Sequence, residues 1–216
     1  MRAAALFLLA AAPALAFGMT APELQKRMES AETGIRTLRF NYRQELRSTL
    51  TDEVQVASGT ASLMKPRHLR IDQSSPEPRL VVSEGGSVYV YTPRFKQVLK
   101  DSWERWMDQN GFFPGLVGFA DGFEKLKREY VWSEPVRERE DGGESVVVSL
   151  RRPAPEADTE LKIWMSDVDY LPRKAVLLSG TLQVTTVLTE LQKNPEFKRG
   201  LFSFQRPPDA EMIEMP

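Results

Sequence analysis

The sequence predicts an α+β, mainly β fold: one strongly curved antiparallel sheet with an N-terminal helix and a helical insertion. Three observations carry this. After Leu38, apolar residues recur with a period of two through most of the chain, the mark of strands with one buried face. A single stretch, Thr20 to Ile35, repeats at helical spacing instead. A third, Trp103 to Trp132, is rich in large apolar residues but broken by glycines, which suits short helices and loops better than a strand. Helices that share a domain with a sheet cover one of its faces.

The first sixteen residues read as a secretory signal rather than as part of this domain. Arg2 supplies a positive charge, Ala3 to Ala12 an apolar run, and Ala14-Leu15-Ala16 a small-x-small cleavage site, so the domain is expected to span residues 17–216, starting at Phe17. The run falls short of the ~20 residues that cross a bilayer. No cysteine lies near the cleavage point to accept a lipid. Export and release follow as the expectation.

Thr20 and Glu23 form a capping box for the helix, Leu24, Met28, Ala31 and Ile35 mark its apolar face, and Gly34 stops it. Leu38, Phe40, Tyr42 and Leu46 then alternate with Arg39, Asn41, Arg43, Glu45 and Arg47. Thr51-Asp52 turns into a return strand from Val54 to Met64, whose apolar phase shifts near Gly59 and so predicts a bulge. Leu69 and Ile71 oppose His68, Arg70 and Asp72, and Glu84-Gly85-Gly86-Ser87 joins Leu80–Val82 to Val88–Tyr91, a strand apolar or aromatic on both faces. Past the insertion, Val131–Arg139 and Ser145–Leu150 flank a turn at Asp141-Gly142-Gly143. Leu161, Ile163 and Met165 alternate, Asp167-Val168-Asp169 turns, Lys174 to Leu191 is a long strand or a pair, and Phe202 with Phe204 forms a final short strand.

Composition narrows function by exclusion. Without residues 1–16 the chain keeps 28 basic and 30 acidic residues, a net charge of −2, with none of the basic surplus that nucleic-acid binding needs. One histidine and no cysteine exclude Cys–His catalysis and a histidine-rich metal site, and no metal or other cofactor is expected. His68 alternates with Leu69 and Ile71 beside Arg67 and Arg70, which reads as a surface histidine. No nucleophile elbow, phosphate loop or dinucleotide fingerprint occurs, and Asp167/Asp169 fit a turn more simply than a catalytic pair. An enzyme is not expected. A cysteine-free exported chain fits the periplasm, held by its core alone. By pattern alone, the apolar residues are ordinary core.

Four segments in chain order add to this reading. They are Tyr42-x-Gln44; Gly59-x-Ala61-x-Leu63-x-Lys65-Pro66-x-x-Leu69-Arg70-Ile71; Val82 to Pro93 followed by Gln97; and Phe202-Ser203-Phe204 with Pro207-Pro208. Together they resemble the periplasmic outer-membrane lipoprotein carrier family, LolA. The resemblance implies a half-open curved antiparallel β-barrel whose helical lid covers an apolar cavity for acyl chains. It implies a monomer that takes acylated lipoproteins from an inner-membrane ABC transporter complex and gives them to an outer-membrane lipoprotein acceptor. A periplasmic lipid or glycolipid shuttle, or a partner-binding sensor module of the same fold, are the alternatives.

Carried over residue by residue, the lipid-binding positions are Leu38 and Tyr42 on the first strand and Leu69 and Ile71 on the third; Phe40, Val88 and Val90 are expected to join them as apolar strand residues. Leu116, Val117 and Phe119 fall in the lid region, with Pro114. Lys65 stands where the family has an arginine that closes the lid, and replaces a planar multi-donor group with a point charge. Asp209-Ala210 replaces the glycine after the last proline pair.

Overall fold

The computed structural model describes residues 18–110, 122–140, 143–154 and 158–215. Helix α1 (Ala21–Thr33) starts as its capping box dictates: the Glu23 N–H donates to Thr20 Oγ1 and the Thr20 N–H to Glu23 Oε2, at 3.4 and 2.7 Å. Six strands then run as a meander, β1 (Thr37–Ser48), β2 (Val54–Met64), β3 (His68–Ser75), β4 (Arg79–Glu84), β5 (Ser87–Thr92) and β6 (Gln97–Ser102). The insertion supplies two eight-residue helices, α2 (Trp103–Asn110) and α3 (Gly122–Glu129). The chain returns through β7 (Val131–Trp132), β8 (Val136–Glu140), β9 (Gly143–Arg151), β10 (Thr159–Ser166), β11 (Pro172–Ser179) and β12 (Leu182–Lys193), and ends on β13 (Glu211–Glu214).

All thirteen strands belong to one sheet, in the order β13-β6-β5-β4-β3-β2-β1-β12-β11-β10-β9-β7, with β8 beside β7 on β9. The centre is the long β1–β12 pairing, from Leu38 opposite Lys193 to Ser48 opposite Leu182. Since β6 and β7 lie near opposite ends of this order, the segment carrying α2 and α3 connects the two ends of the sheet. Among the described residues, all three α-helices lie on the inner face. Trp103 and Trp106 of α2 join the apolar cluster over β1–β5, while Phe123 and Leu126 of α3 join the one over β9–β11. Helix α1 spans both, with Leu24 and Met28 in the second cluster and Ala31 against the first. An ion pair between Lys125 and Asp108 links α3 to α2, and Lys127 with Glu29 links α3 to α1.

The bulge at Gly59 is present, and lies on the side of β3: β2 pairs evenly with β1 but slips against β3 between Ser58 and Gly59. Val88 and Val90 face inward, whereas the outward Tyr89 is stacked on Phe204 with ring centroids 4.8 Å apart, which accounts for a strand apolar on both sides. Other expectations need correction. Val131–Arg139 is two strands, because Pro135 lacks the N–H a continuous ladder requires; the Ser133 N–H still reaches Ser149 O at 2.8 Å. Phe202 and Phe204 lie outside any strand, since both rings pack on the outward face of the first meander. The last strand follows the prolines instead, and β13 pairs with β6 in parallel, the one exception to an antiparallel sheet among the described pairings. His68 is half-buried rather than a free surface residue, its ring edge-on to Phe202 at 5.8 Å.

Candidate functional site: the apolar inner face

The alternation of β1 aims Leu38, Phe40 and Tyr42 at the inner face, and pairing carries that face across the sheet. Ala61 lies opposite Phe40, Ile71 opposite Ala61, Val81 opposite Ile71 and Val90 opposite Val81. Leu38, Phe40, Tyr42, Leu69, Ile71 and Val88 are buried in one cluster, with Val90 packed against it. Every described position expected to bind lipid therefore meets in one place. Leu116, Val117, Phe119 and Pro114 lie outside the described residues.

Sequence patterning alone does not assign Trp103 and Trp106 to the site. They sit one helical turn apart, both buried, with ring centroids 6.4 Å apart, and cover the apolar face from α2. Their i, i+3 spacing is the signal that could have found them. Tyr42 stands opposite Gly59 on β2, a position without a side chain. Burial pushes its hydroxyl pKa up to about 12, with Arg79 opposing and Asp72 adding to the shift, so the ring is neutral under ordinary conditions.

Lys65 lies in the turn between β2 and β3, and its Nζ donates to the Glu32 carbonyl at 2.9 Å. A cation there satisfies one of the last carbonyls of α1 and complements the negative end of the helix dipole. The Glu32 carboxyl is the most perturbed acid of this region. Burial raises its pKa from 4.5 to about 7; Lys65 pulls it down, Glu29 and Glu124 push it up, and Lys127 pulls it down. The folded state thus holds the Glu32 proton more tightly than the unfolded chain does. Stability from this group is greatest below about pH 4.5 and is lost as pH rises through about 7. In thermal unfolding across that window, Glu32→Gln should flatten the decline; an unchanged slope would assign it to other groups.

Two further depressions lie outside the apolar cluster. One, of about 450 Å³, is lined by Lys26, Arg27, Asp169, Tyr170 and Lys193 among others; a second, of about 550 Å³, lies along β7–β10 by Trp132, Val136 and Glu138. Asp169 is a turn residue, as expected: it accepts the Leu171 N–H and pairs with Arg173 and Lys193. Among the described residues, no group of three or more His, Cys, Asp or Glu side chains converges to hold a metal ion. Nor is any described helix long and apolar enough to cross a membrane.

Residues 33–205 match the family described as outer membrane lipoprotein carrier protein LolA. The chain belongs to this family. That stretch begins in α1 and ends beyond β12, so it contains the whole apolar inner face. An outer-membrane lipoprotein carrier protein of Bordetella avium is 27% identical over 216 residues, covering 99% of this chain and 97% of the relative. One from Legionella pneumophila is 24% identical, with 92% of each covered. Among solved structures, an uncharacterized conserved protein from Thermus thermophilus shares the fold at a TM-score of 0.57 and 12% identity, covering 90% of this chain and 99% of that one. The half-open barrel with helices on its inner face is thus the architecture of a lipoprotein-carrier family member.

Proposed function

We propose that this chain is a periplasmic carrier that binds the acyl chains of lipoproteins against its apolar inner face and moves them from the inner to the outer membrane. The observation that carries the reading is the convergence of Leu38, Phe40, Tyr42, Leu69, Ile71 and Val88 beneath two tryptophans, inside the family match. The protein would act by binding alone, without an enzymatic step or cofactor. Its signal would be cleaved after Ala16. It would receive cargo from an inner-membrane ABC transporter complex and yield it to an outer-membrane acceptor.

The energetics favour a cover that opens. Each buried methylene is worth ~0.8 kcal/mol, so a long acyl chain sealed into a rigid pocket would not leave. Moving α2 would trade the burial of Trp103 and Trp106 for that of the cargo, an exchange with a small net free energy.

Native mass spectrometry of protein recovered from the periplasm is expected to show bound lipoprotein, and the emptied protein should bind a triacylated lipopeptide. Recovery of empty protein that binds no acylated peptide would overturn the assignment.

A further inference from the structure

The inner face is not uniformly apolar. Following β1 and β12 outward, the inward pairs are Tyr42 with Leu188, then Gln44 with Thr186, then Leu46 with Val184, then Ser48 with Leu182. The second pair is polar. Gln44 Nε2 donates to Thr186 Oγ1 at 3.1 Å, and Thr186 is only 1% exposed. On the deep side lie Tyr42 and Leu188, both buried, and Ala175, opposite Thr186 on β11, is buried as well. On the outer side Leu46 and Val184 are half-buried, and Leu182 is 46% exposed. Along β1 and β12, the polar pair therefore marks the line where buried residues give way to half-buried ones.

Its one hydrogen bond leaves the pair chemically unfinished. Among the described residues, Gln44 makes no other side-chain hydrogen bond, so its carbonyl oxygen and second N–H remain, as does the Thr186 hydroxyl proton. Opposite Gln44 on β2 stands the small Ala57. A face built only for hydrocarbon would lower its free energy by burying two apolar residues here. From Gln44 to Leu38 the strand then runs six residues, roughly 20 Å, with Tyr42, Phe40 and Leu38 facing inward.

We propose that Gln44 and Thr186 read the linkage of the cargo, hydrogen-bonding the amide or ester groups that join acyl chains to the lipidated residue. The proposal rests on the carrier reading above and adds a ligand class to it: acyl chains joined by amide or ester, in preference to plain hydrocarbon. A primary amide suits this task because it can donate to an ester carbonyl, and can both donate to and accept from an amide. The boundary position follows, since the linkage is the point where a lipoprotein changes from apolar chains to polar peptide.

The test titrates wild type, Gln44→Met and Thr186→Val with two probes, a triacylated lipopeptide and an alkylpyrene, a fluorescent hydrocarbon with neither ester nor amide. Both variants are expected to bind lipopeptide about five- to tenfold more weakly, the scale of a lost hydrogen bond, and alkylpyrene within twofold of wild type. Thr186→Val keeps the side-chain shape, and carries the test if Gln44→Met weakens the sheet. Unchanged lipopeptide affinity in a folded variant would overturn the linkage role and leave the carrier reading intact. Equal loss of both probes would reduce the pair to a structural contact between β1 and β12. A wild-type protein that binds neither probe would defeat both readings.

Discussion

Ile71→Glu is expected to weaken acyl binding at least about tenfold and to lower stability by about 2–5 kcal/mol. Ile71 is buried in the first apolar cluster, opposite Ala61 on β2 and Val81 on β4. A carboxylate there removes apolar contact and places a charge among buried apolar side chains. The introduced carboxyl would take up a proton, so the variant should be least stable at neutral pH and recover as pH falls. Ile71→Val, which removes one methylene, is the control and should cost about 0.5–1.5 kcal/mol with binding retained. Lipopeptide titration and denaturant unfolding of both variants check this. A folded Ile71→Glu protein with wild-type affinity would place the cargo elsewhere.

The second large effect concerns Gly59. A Cβ at this position would lie 2.2 Å from the Asp72 carbonyl oxygen and 2.8 Å from Gln73 Cα, both backbone atoms of the neighbouring strand. Neither can rotate away, so Gly59→Ala must push β3 off β2 or undo the bulge. The expected cost is about 1–3 kcal/mol, seen as a fall in Tm of roughly 2–4 °C per kcal/mol. Gly59 stands opposite Tyr42, so acyl binding should weaken along with stability. Gly34→Ala is the control: nothing lies within 4 Å of its added Cβ, and its φ of −82° suits alanine. Equal Tm values for the two variants would show that the strands part at little cost.

The elements that could be read from sequence are those whose two faces meet different surroundings. In β1 the apolar and charged residues alternate because one side packs on helices and the other meets water, so its range and its inward residues were both legible. The bulge was legible for the same reason, as a shift in phase at a glycine. Strand β13 was not, because its four residues carry only Met212 and Ile213 and its pairing depends on an edge supplied by β6. The two phenylalanines before it looked like a strand because a strand and an extended strap alternate alike. At the site, Gln44 showed as part of the Tyr42-x-Gln44 segment and as a missing member of the apolar series from Leu38 to Leu46, with no role attached to it. Its partner Thr186 comes from the other end of the chain, and only the β1–β12 register brings them together.

That register also sets the order in which the protein can fold. Leu38 waits for Lys193, and Tyr42 for Leu188, so the centre of the sheet is its most non-local part. Contacts between such distant residues form slowly, because the loop must close before any of them contributes. A chain emerging N-terminus first, from a ribosome or a translocation channel, can form the β1–β6 meander early, but β1 keeps an open edge until β12 arrives. The β1–β12 seam is then the last part of the sheet to form. Synthesis or export would be almost complete before the two halves of the sheet could join, so the N-terminal meander must hold its apolar face together on local contacts alone until β12 closes the seam.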